Sequence, residues 1–264
     1  MLLPRLIRHH LRHGTDEAFY RLQAREAIAW LEAAGVAFTP HTTVLDLGCG
    51  TGVFGGELRQ RGCRVTFVDA QNWLGPALAG ADFRALNLDQ DDLRTLGRYD
   101  VVISSNVLEH LAHPARLLAA IPDLLTERGV FYLSWTNWLS PWGGHDFSPF
   151  HYLGPRLGPW LWDRVVRRPR RLRPFENLYP THIGPVLRQL RRLPGVEIRR
   201  LAPRYYPELA WVMRLPWLRE FLAWNCAVLL ARTGPARPAS PEPHPTRPAT
   251  SVSTGTARSR TTKP

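Results

Sequence analysis

The sequence predicts an α/β protein built on a doubly wound, seven-stranded and mostly parallel sheet. Two observations carry this prediction. Short apolar runs rich in β-branched residues alternate with helical segments between residues 42 and 135, and such runs are typical of parallel strands that are covered on both faces. The first run leads directly into a glycine-rich turn and a helix, which is the order found at the ligand-binding edge of doubly wound sheets.

The individual strands follow from their apolar runs and from the turns that separate them. We predict five strands and then two closing strands, at 42–47, 64–69, 82–86, 99–104, 129–135, 196–203 and 225–233. Because crossovers between parallel strands usually contain a helix, we expect helices between them, including one at 114–125 and one near 182–193. Residues 15–34 have the period of an amphipathic helix, which Gly35 ends.

These elements divide the chain into three parts. Residues 1–40 form a helical N-terminal segment. Residues 41–233 form the sheet domain, with an insertion at 136–181 that follows strand five and is rich in Trp, Pro and Arg. Residues 234–264 consist mainly of Pro, Ala, Ser, Thr and Arg, and a segment with so few apolar residues is expected to be disordered.

The composition narrows the class of protein. With 264 residues, of which 44% are hydrophobic, the chain can bury a core of its own. The net charge is +12, but Lys263 is the one lysine among 34 basic residues. Such an arginine bias can reflect the base composition of the gene, so we do not expect a nucleic-acid partner. No run approaches the roughly 18 apolar residues of a membrane span, which predicts a soluble cytoplasmic protein that at most contacts a membrane surface.

The cysteines predict neither disulfides nor a metal site. Cys49, Cys63 and Cys226 are the three cysteines of the chain, and no two of them form a CxxC pair. The spacing of zinc ligands and of disulfide frameworks is therefore missing. A reducing, cytoplasmic setting fits this pattern, and we predict no bound metal.

The glycine turn is the most informative stretch of the sequence. In VLDLGCGTGVFGGEL, residues 44–58, Gly48, Gly50 and Gly52 alternate after Asp46. Glycine permits positive φ and the close approach of a ligand to the backbone. The G-x-G-x-x-G spacing of a dinucleotide site is absent. An acid two residues before the first glycine favours a ligand that carries an ammonium group over a pyrophosphate, which Asp46 would repel.

Two further acids follow the second and third strands. Asp69 ends RVTFVD, where a carboxylate can accept hydrogen bonds from both hydroxyls of a ribose. Asp89, in LNLDQDDL after strand three, is placed to accept a hydrogen bond from an adenine amino group. Asp91 and Asp92 compete with it for that role.

Together these features resemble the class I S-adenosylmethionine-dependent methyltransferases, over residues 15–135 and more loosely over the two closing strands. YDVVISSNVLEHLAHP, residues 99–114, is similar to the segment that follows strand four in the quinone-biosynthesis-like branch known as type 11. The resemblance implies a Rossmann-like fold and S-adenosylmethionine as cofactor. It implies that the methionine end lies at the glycine turn, the ribose at one acid and the adenine at another, which matches Asp46, Gly48, Gly50, Gly52, Asp69 and Asp89, the last with Leu93.

Methyl transfer to a hydroxyl requires alignment of the acceptor with the methyl group, and it gains from a general base, most often histidine. The candidate bases are His110 after strand four, and His145 and His151 after strand five. Each also has a purely structural interpretation, as a locally packed residue or as a cap on backbone groups of a lid. Asn106 is placed to hold the methionine end of the cofactor, or it is a plain turn residue.

The segment after strand five predicts the acceptor pocket. WTNWLSPWGGHDFSPFHYLGP, residues 135–155, sets polar side chains among aromatic ones, and titratable groups in such surroundings often mark binding sites. The run RVVRRPRRLR at 164–173 contains six arginines, which form either a solvated face or a dock for phosphate or acidic headgroups. The candidate acceptor contacts are Asn137, Trp142, Asp146 and Tyr152.

The sequence therefore predicts an enzyme that methylates a hydroxyl, or less readily a carbon, of a small or lipid-linked metabolite. An RNA or protein methyltransferase that uses the arginine run is one alternative. Against it, the N/D-P-P-Y/F motif of amino-group methylases is absent after strand four, and no cysteine stands where an RNA cytosine-C5 enzyme places its nucleophile. A non-catalytic module that keeps the fold and binds the cofactor is the other alternative.

Overall fold

The computed structural model describes residues 2–167 and 172–234, and its centre is a seven-stranded sheet. β5 begins earlier than predicted, because a bulge lets Leu125 pair with Tyr99 ahead of the regular register. The other strands lie where the apolar runs predict them. The strands are β1 (Thr43–Leu47), β2 (Arg64–Asp69), β3 (Asp82–Ala85), β4 (Tyr99–Ser105), β5 (Leu125–Thr136), β6 (Val196–Pro203) and β7 (Asn225–Arg232).

The strand order confirms the predicted doubly wound and mostly parallel sheet. The order is β3-β2-β1-β4-β5-β7-β6. The first five strands pair in parallel, whereas β7 runs antiparallel to both β5 and β6. The winding direction reverses between β1 and β4. In sheets of this kind the crevice at that reversal, outside the carboxyl ends of the strands, is where ligands bind.

Helices cover the sheet and precede it. α2 begins where the Asp16 carboxylate accepts a hydrogen bond from the Phe19 N–H at 2.8 Å, which satisfies one of the unpaired donors of its first turn. α2 lies within the predicted amphipathic segment. The helices are α1 (Leu3–His13), α2 (Glu17–Glu32), α3 (Val53–Gln60), α4 (Pro114–Ala120), α5 (Gly154–Val165), α6 (Ile183–Leu190) and α7 (Pro216–Leu222).

The single helix predicted at 114–125 is wrong in its second half. α4 ends at Ala120, and residues Ile121–Leu124 form a 3-10 turn instead. Pro122 lies inside this turn. Proline lacks the N–H that an α-helix needs in its interior and its ring clashes with the preceding turn, so the α-helix cannot continue through this position.

Both faces of the sheet are buried, as the continuous apolar strands predict. On one face, Ile28 and Leu31 of α2 pack with Val44, Phe67 and other buried strand residues. On the opposite face, buried side chains of α4 and α6 pack with alternate strand residues. Successive residues of a strand point to opposite faces, so one apolar run supplies both clusters and helices are required on each side.

The insertion after β5 is folded rather than extended. α5 and two 3-10 turns, His145–Phe147 and Phe150–Leu153, lie within it. The rings of Phe147 and Phe150 pack against Trp162, with centroids 5.4 and 5.5 Å from that ring. A hydrogen bond of 3.0 Å from the Trp138 N–H to the Thr181 carbonyl closes the insertion at its base.

No helix within residues 2–167 and 172–234 combines the length and the apolarity that a membrane crossing requires. The predicted tail lies outside the described residues from position 235 onward, and so do residues 168–171 of the arginine run. The division of the chain at residues 40 and 233 stays a prediction.

Candidate functional site

A cavity of about 570 Å³ lies at the carboxyl edge of the sheet, beside the reversal of strand order. Its volume is within the range of roughly 300–1,000 Å³ that small-molecule sites occupy. Six parts of the chain contribute to its lining: the turn after β1, the end of β4, the helices α1 and α2, the insertion, the residues after β6, and Trp224 before β7. One cavity therefore connects the glycine turn with the segment predicted to bind an acceptor.

The glycine turn has the backbone that its composition predicts. Gly48, Gly50 and Gly52 all have positive φ, at 67°, 53° and 78°. A Cβ at Gly48 would lie 2.5 Å from a methyl group of Val107, and one at Gly52 would lie 2.5 Å from a methyl group of Leu78. A Cβ at Gly50 would meet no protein atom within 4 Å. Packing within the protein therefore requires the outer two glycines, whereas the middle one leaves its space to the cavity.

Asp46 lies under the glycine turn and lines the cavity. The residue is only 2% exposed, and its Oδ2 accepts a hydrogen bond from the Gly55 N–H in the first turn of α3 at 2.8 Å. Burial raises the pKa of this carboxyl to about 7; the nearby Asp69 adds to the rise, and the Gly55 hydrogen bond opposes it. Asp46 thus positions α3 and holds a desolvated acid that a cation in the cavity would stabilise as a carboxylate.

The raised pKa of Asp46 predicts a specific pH dependence of stability. In the unfolded chain the carboxyl has its ordinary pKa near 3.8, so between about pH 4 and pH 7 the folded state holds a proton that the unfolded state has released. Stability then falls as pH rises through this window and levels off above it. We expect the isosteric variant Asp46→Asn, which keeps a hydrogen-bond acceptor for Gly55, to gain stability relative to the parent between pH 5 and pH 8 in urea unfolding.

Asp100 supplies the matched control for this experiment. Burial alone would raise the pKa of Asp100, but hydrogen bonds from Thr43 and Thr126 outweigh it, and the net shift is downward. Its contribution to stability is lost below pH 4, outside the measured window. The stability difference between Asp100→Asn and the parent should therefore stay constant from pH 5 to pH 8. The same constancy for Asp46→Asn would show that the Asp46 pKa is not raised.

The two other predicted cofactor acids differ in their surroundings. Asp69 lies at the tip of β2, and its Oδ2 accepts a hydrogen bond from the Gly50 N–H at 2.9 Å, so it braces the glycine turn. Asp89 accepts hydrogen bonds from the backbone N–H groups of Ala112 at 2.9 Å and His113 at 2.8 Å. Asp89 therefore anchors the loop after β4. The ribose and adenine roles of the two acids stay predictions.

Asn106 is the centre of a polar network at the end of β4. Its backbone has a positive φ of 57°. Its Oδ1 accepts hydrogen bonds from Asn225 at 2.7 Å and from Arg204 at 3.1 Å, while its Nδ2 reaches Gln23 of α2 at 3.4 Å. Both Asn106 and Arg204 line the cavity. The turn interpretation and the functional interpretation of Asn106 are compatible, because its turn directs the network toward the cavity.

Arg204 is a functional candidate that sequence reasoning missed. Its side chain is buried, with 8% of the residue exposed, and its Nε has no hydrogen-bond partner among the described residues. A buried cation is costly unless other groups compensate it. Arg204 follows β6 and is far along the chain from the glycine turn, so only the strand order brings it to the cavity. We infer that an anionic ligand group would be favoured beside it.

Two of the three candidate bases lie at the cavity. His110 and His145 both line it, and their ring centroids are 5.4 Å apart. His145 Nε2 is 3.8 Å from Oε1 of Glu109, a buried acid that sequence reasoning did not single out. Burial lowers the pKa of His145, although Glu109 opposes the shift. The imidazole is therefore neutral near pH 7 and has a lone pair to accept a proton or bind a cation.

Of the predicted acceptor contacts, Trp142 and Asp146 line the cavity, but Asn137, Tyr152 and the candidate base His151 do not. The Asn137 amide is buried and donates to the Glu220 carbonyl, which ties the end of β5 to α7. His151 fills the interior of the insertion against the Trp138 ring, with centroids 5.2 Å apart. Contacts with α7 and within the insertion thus occupy these side chains away from the cavity, and their roles in acceptor binding and catalysis stay predictions.

Tyr152 is half exposed, and its hydroxyl donates to the Leu139 carbonyl at 3.2 Å. The Tyr152 side chain therefore closes the loop at 139–152 from outside. Its acceptor contact also stays a prediction.

The remaining wall of the cavity is apolar and comes from the N-terminal segment. Leu3, Leu6 and Ile7 of α1 and Phe19 of α2 line it. The Trp142 ring contacts His10 of α1, with centroids 5.5 Å apart, and stacks against Trp224, with centroids 6.1 Å apart. The spacing of the α1 residues is that of one helix face, which is a signal that sequence analysis could have used. An acceptor bound here would contact mainly hydrocarbon and aromatic surface.

The fold and this site define a class of protein: a doubly wound sheet whose glycine turn, with the buried Asp46, borders a small-molecule cavity. A family model described as a methyltransferase domain matches residues 10–182, more than half of the chain. The protein belongs to this methyltransferase domain family, and the predicted methyltransferase class is confirmed. S-adenosylmethionine, the predicted cofactor, is the cofactor named for solved methyltransferases that share this fold.

Two mycobacterial relatives support this membership. An uncharacterized methyltransferase of Mycobacteroides abscessus is 30% identical over 235 residues, which cover 82% of this chain and 88% of the relative. An uncharacterized methyltransferase of Mycobacterium ulcerans is 34% identical over 217 residues, with coverage of 76% and 80%.

Solved structures with low sequence identity share the fold. An S-adenosylmethionine-dependent methyltransferase of Archaeoglobus fulgidus has a TM-score of 0.53 at 16% identity and covers 86% of this chain and 99% of its own. One from Mesorhizobium loti has a TM-score of 0.52 at 22% identity, with coverage of 78% and 98%. These likenesses confirm the Rossmann-like seven-stranded fold.

Proposed function

We propose that the protein transfers the methyl group of S-adenosylmethionine to a hydroxyl of an apolar acceptor, a small or lipid-linked metabolite. The observation that carries this proposal is the single cavity. It runs from Gly50, where a Cβ would meet open space, to His110 and His145, beneath a wall of apolar residues. Donor, acceptor and a proton-accepting group would therefore meet in one enclosed space.

The residues present fit S-adenosylmethionine. The open side of Gly50 admits a ligand close to the backbone, and the buried Asp46 carboxyl suits a ligand with an ammonium and a sulfonium group. The unpartnered Nε of Arg204, beside Asn106, suits the carboxylate of the methionine moiety. Each charged group of the methionine end thus has a counterpart in this chain.

When bound, the cofactor supplies a methyl group on a positively charged sulfur, and an acceptor nucleophile that attacks the methyl carbon in line displaces the sulfur. The protein aligns the acceptor with this methyl group and excludes water from the site. Alignment of two reactants can contribute roughly 7–11 kcal/mol. Phe19, Trp142 and the α1 residues exclude water, and the group at His110 and His145 receives the acceptor's proton.

Exposed apolar side chains in the segment that leads to Trp224 support a lipid-linked acceptor over a water-soluble one. Trp217 of α7 is 84% exposed, and Trp211 and Phe221 are more than half exposed on the same segment. Trp224, which follows α7, lines the cavity. Exposed apolar side chains such as these favour contact with a membrane surface. We include in this proposal that the protein belongs to the quinone-biosynthesis-like branch, because its VLEHL segment resembles that branch.

A labelling experiment tests the proposal. Purified protein is incubated with S-[methyl-³H]adenosylmethionine and an extract of host cells, which is then separated into organic-soluble, aqueous, RNA and protein fractions. We expect label in the organic-soluble fraction, and no label above background with the variant Gly50→Ala. The labelled product should resist mild base if the new bond is an ether.

The other outcomes identify the alternatives. Label in RNA or protein that RNase or protease releases would replace the proposal with a macromolecular methyltransferase. If the protein binds the cofactor in calorimetry and transfers no label to any fraction, the non-catalytic module replaces it.

A further inference from the structure

Glu109, His110 and His145 form a compact cluster at the acceptor end of the cavity. One ligand atom from each side chain lies within 4.8 Å of those of the other two. Glu109 and His110 come from the loop after β4, and His145 comes from the insertion after β5. This separation along the chain explains why sequence analysis predicted no metal site.

Two atoms of this cluster are buried without partners. Glu109 is 1% exposed. Its Oε1 accepts a hydrogen bond from the Thr136 N–H at 2.9 Å, but its Oε2 has no partner among the described residues. His145 Nε2 is likewise buried without a hydrogen bond. Buried polar atoms are rarely left unsatisfied, and one ligand between Glu109 Oε2 and His145 Nε2 would satisfy both.

The hydrogen bond of His110 also suits a bound ligand in this cluster. Its Nδ1 lies 2.9 Å from the carbonyl oxygen of Asn177. A carbonyl can only accept, so Nδ1 carries the proton and Nε2 keeps its lone pair. Histidines that bind metals almost always donate their other ring N–H in this way, which sets the tautomer and the ring orientation.

The backbone around the cluster is held in place by the insertion. The Glu109 carbonyl accepts a hydrogen bond from the Tyr179 N–H at 2.8 Å. His145 has a positive φ of 49°, which is uncommon for a residue with a side chain and clusters at functional sites.

We propose that Glu109, His110 and His145 bind one divalent transition-metal ion at the acceptor end of the cavity. Two imidazoles and one carboxylate favour Mn²⁺, Fe²⁺, Co²⁺ or Zn²⁺ over Mg²⁺ and Ca²⁺, which prefer oxygen ligands alone. Three protein ligands leave at least one coordination position free, as in catalytic metal sites. His110 and His145 both line the cavity, so the free position is accessible to a ligand there.

The role of this metal rests on the proposed function, although metal binding itself does not. With the metal bound, His110 and His145 would be its ligands, so an acceptor hydroxyl that coordinates the metal would become more acidic and lose its proton to water rather than to these histidines. The hydroxyl oxygen then forms a bond to the methyl carbon of S-adenosylmethionine, and the electron pair of the breaking carbon–sulfur bond goes to sulfur. The products are a methyl ether, S-adenosylhomocysteine and the released proton.

Calorimetry with the untagged, chelator-treated full chain tests the site without cofactor or acceptor. We expect one equivalent of Zn²⁺ or Mn²⁺ to bind, and Mg²⁺ to bind at least about tenfold more weakly. Glu109→Gln and His145→Ala should each weaken Zn²⁺ binding at least about 30-fold, because each removes one of three ligands. His113→Ala removes an exposed histidine of the same loop, outside the cluster, and should bind like the parent.

Co²⁺ and thermal unfolding separate a lost ligand from a lost fold. Co²⁺ should give the parent a visible absorption band that His145→Ala lacks, and Zn²⁺ should raise the Tm of the parent but not that of a folded His145→Ala. If the parent binds no stoichiometric Zn²⁺ or Mn²⁺, or if both cluster variants bind as the parent does, the site does not exist. Failure here leaves methyl transfer in the labelling experiment untouched, and loss of transfer with intact metal binding overturns the proposed function alone.

Discussion

Gly50→Ala is expected to weaken binding of S-adenosylmethionine at least about 100-fold in calorimetry, close to complete loss. The middle glycine of the turn has a positive φ, and a Cβ there would project into open cavity space rather than against protein. A methyl group in that space would displace the cofactor from the backbone. A hundredfold change corresponds to about 3 kcal/mol, which is reasonable for a steric conflict with a rigid turn.

Gly97→Ala is the matched control for the strain that alanine causes at a residue with positive φ. Gly97 also has a positive φ, at 85°, and a Cβ there would also meet no atom within 4 Å, but it precedes β4 and does not line the cavity. Both variants therefore strain a left-handed residue, whereas only one fills the cavity. Equal cofactor affinity for Gly50→Ala and the parent would remove the glycine turn from the binding site.

Asp69→Ala is expected to weaken the same binding about 30-fold or more. If Asp69 accepts hydrogen bonds from the ribose hydroxyls, the variant loses up to two charge-assisted bonds, each contributing about 1.5–3 kcal/mol. Asp69 also braces the turn through the Gly50 N–H. A loss of affinity could therefore act through the ribose or through the turn, and the measurement has to separate these two paths.

A cofactor analogue without the 2′ and 3′ hydroxyls separates them. The parent should bind the analogue much more weakly than S-adenosylmethionine. If Asp69 acts on the ribose, Asp69→Ala should bind both compounds with similar affinity, because the variant has nothing further to lose with the analogue. An analogue affinity that falls as far as the cofactor affinity would assign Asp69 to bracing the turn alone.

Most of the sheet could be predicted from the sequence. Apolar runs, a glycine turn and helix boundaries depend on a few neighbouring residues, and the strands at 42–47 and 64–69 agree with β1 and β2. The helix at 114–125 was misjudged because its apolar period continues through Pro122, whereas the missing N–H of this proline ends the α-helix.

The candidate site was predicted only in part. Local spacing places Asp46 and Gly50 at the edge of the sheet, since strand, turn and helix follow one another directly. The same reasoning predicted His151 and Asn137 in the acceptor pocket, but His151 packs on Trp138 inside the insertion and Asn137 is bonded to α7. A loop sequence shows which residues are polar or aromatic. Only packing determines which of them face a cavity.

By itself, the sequence determined the class of the fold and the glycine turn, because each depends on backbone preferences and spacing within a short segment. The tertiary structure alone placed Arg204 beside Asn106, because β6 and β7 run antiparallel and return the chain to the end of β5. It alone brought His145 to Glu109 and laid α1 over the cavity. These contacts join residues that are distant in the chain, so they follow from the strand order and from the packing of the insertion, which no local pattern encodes.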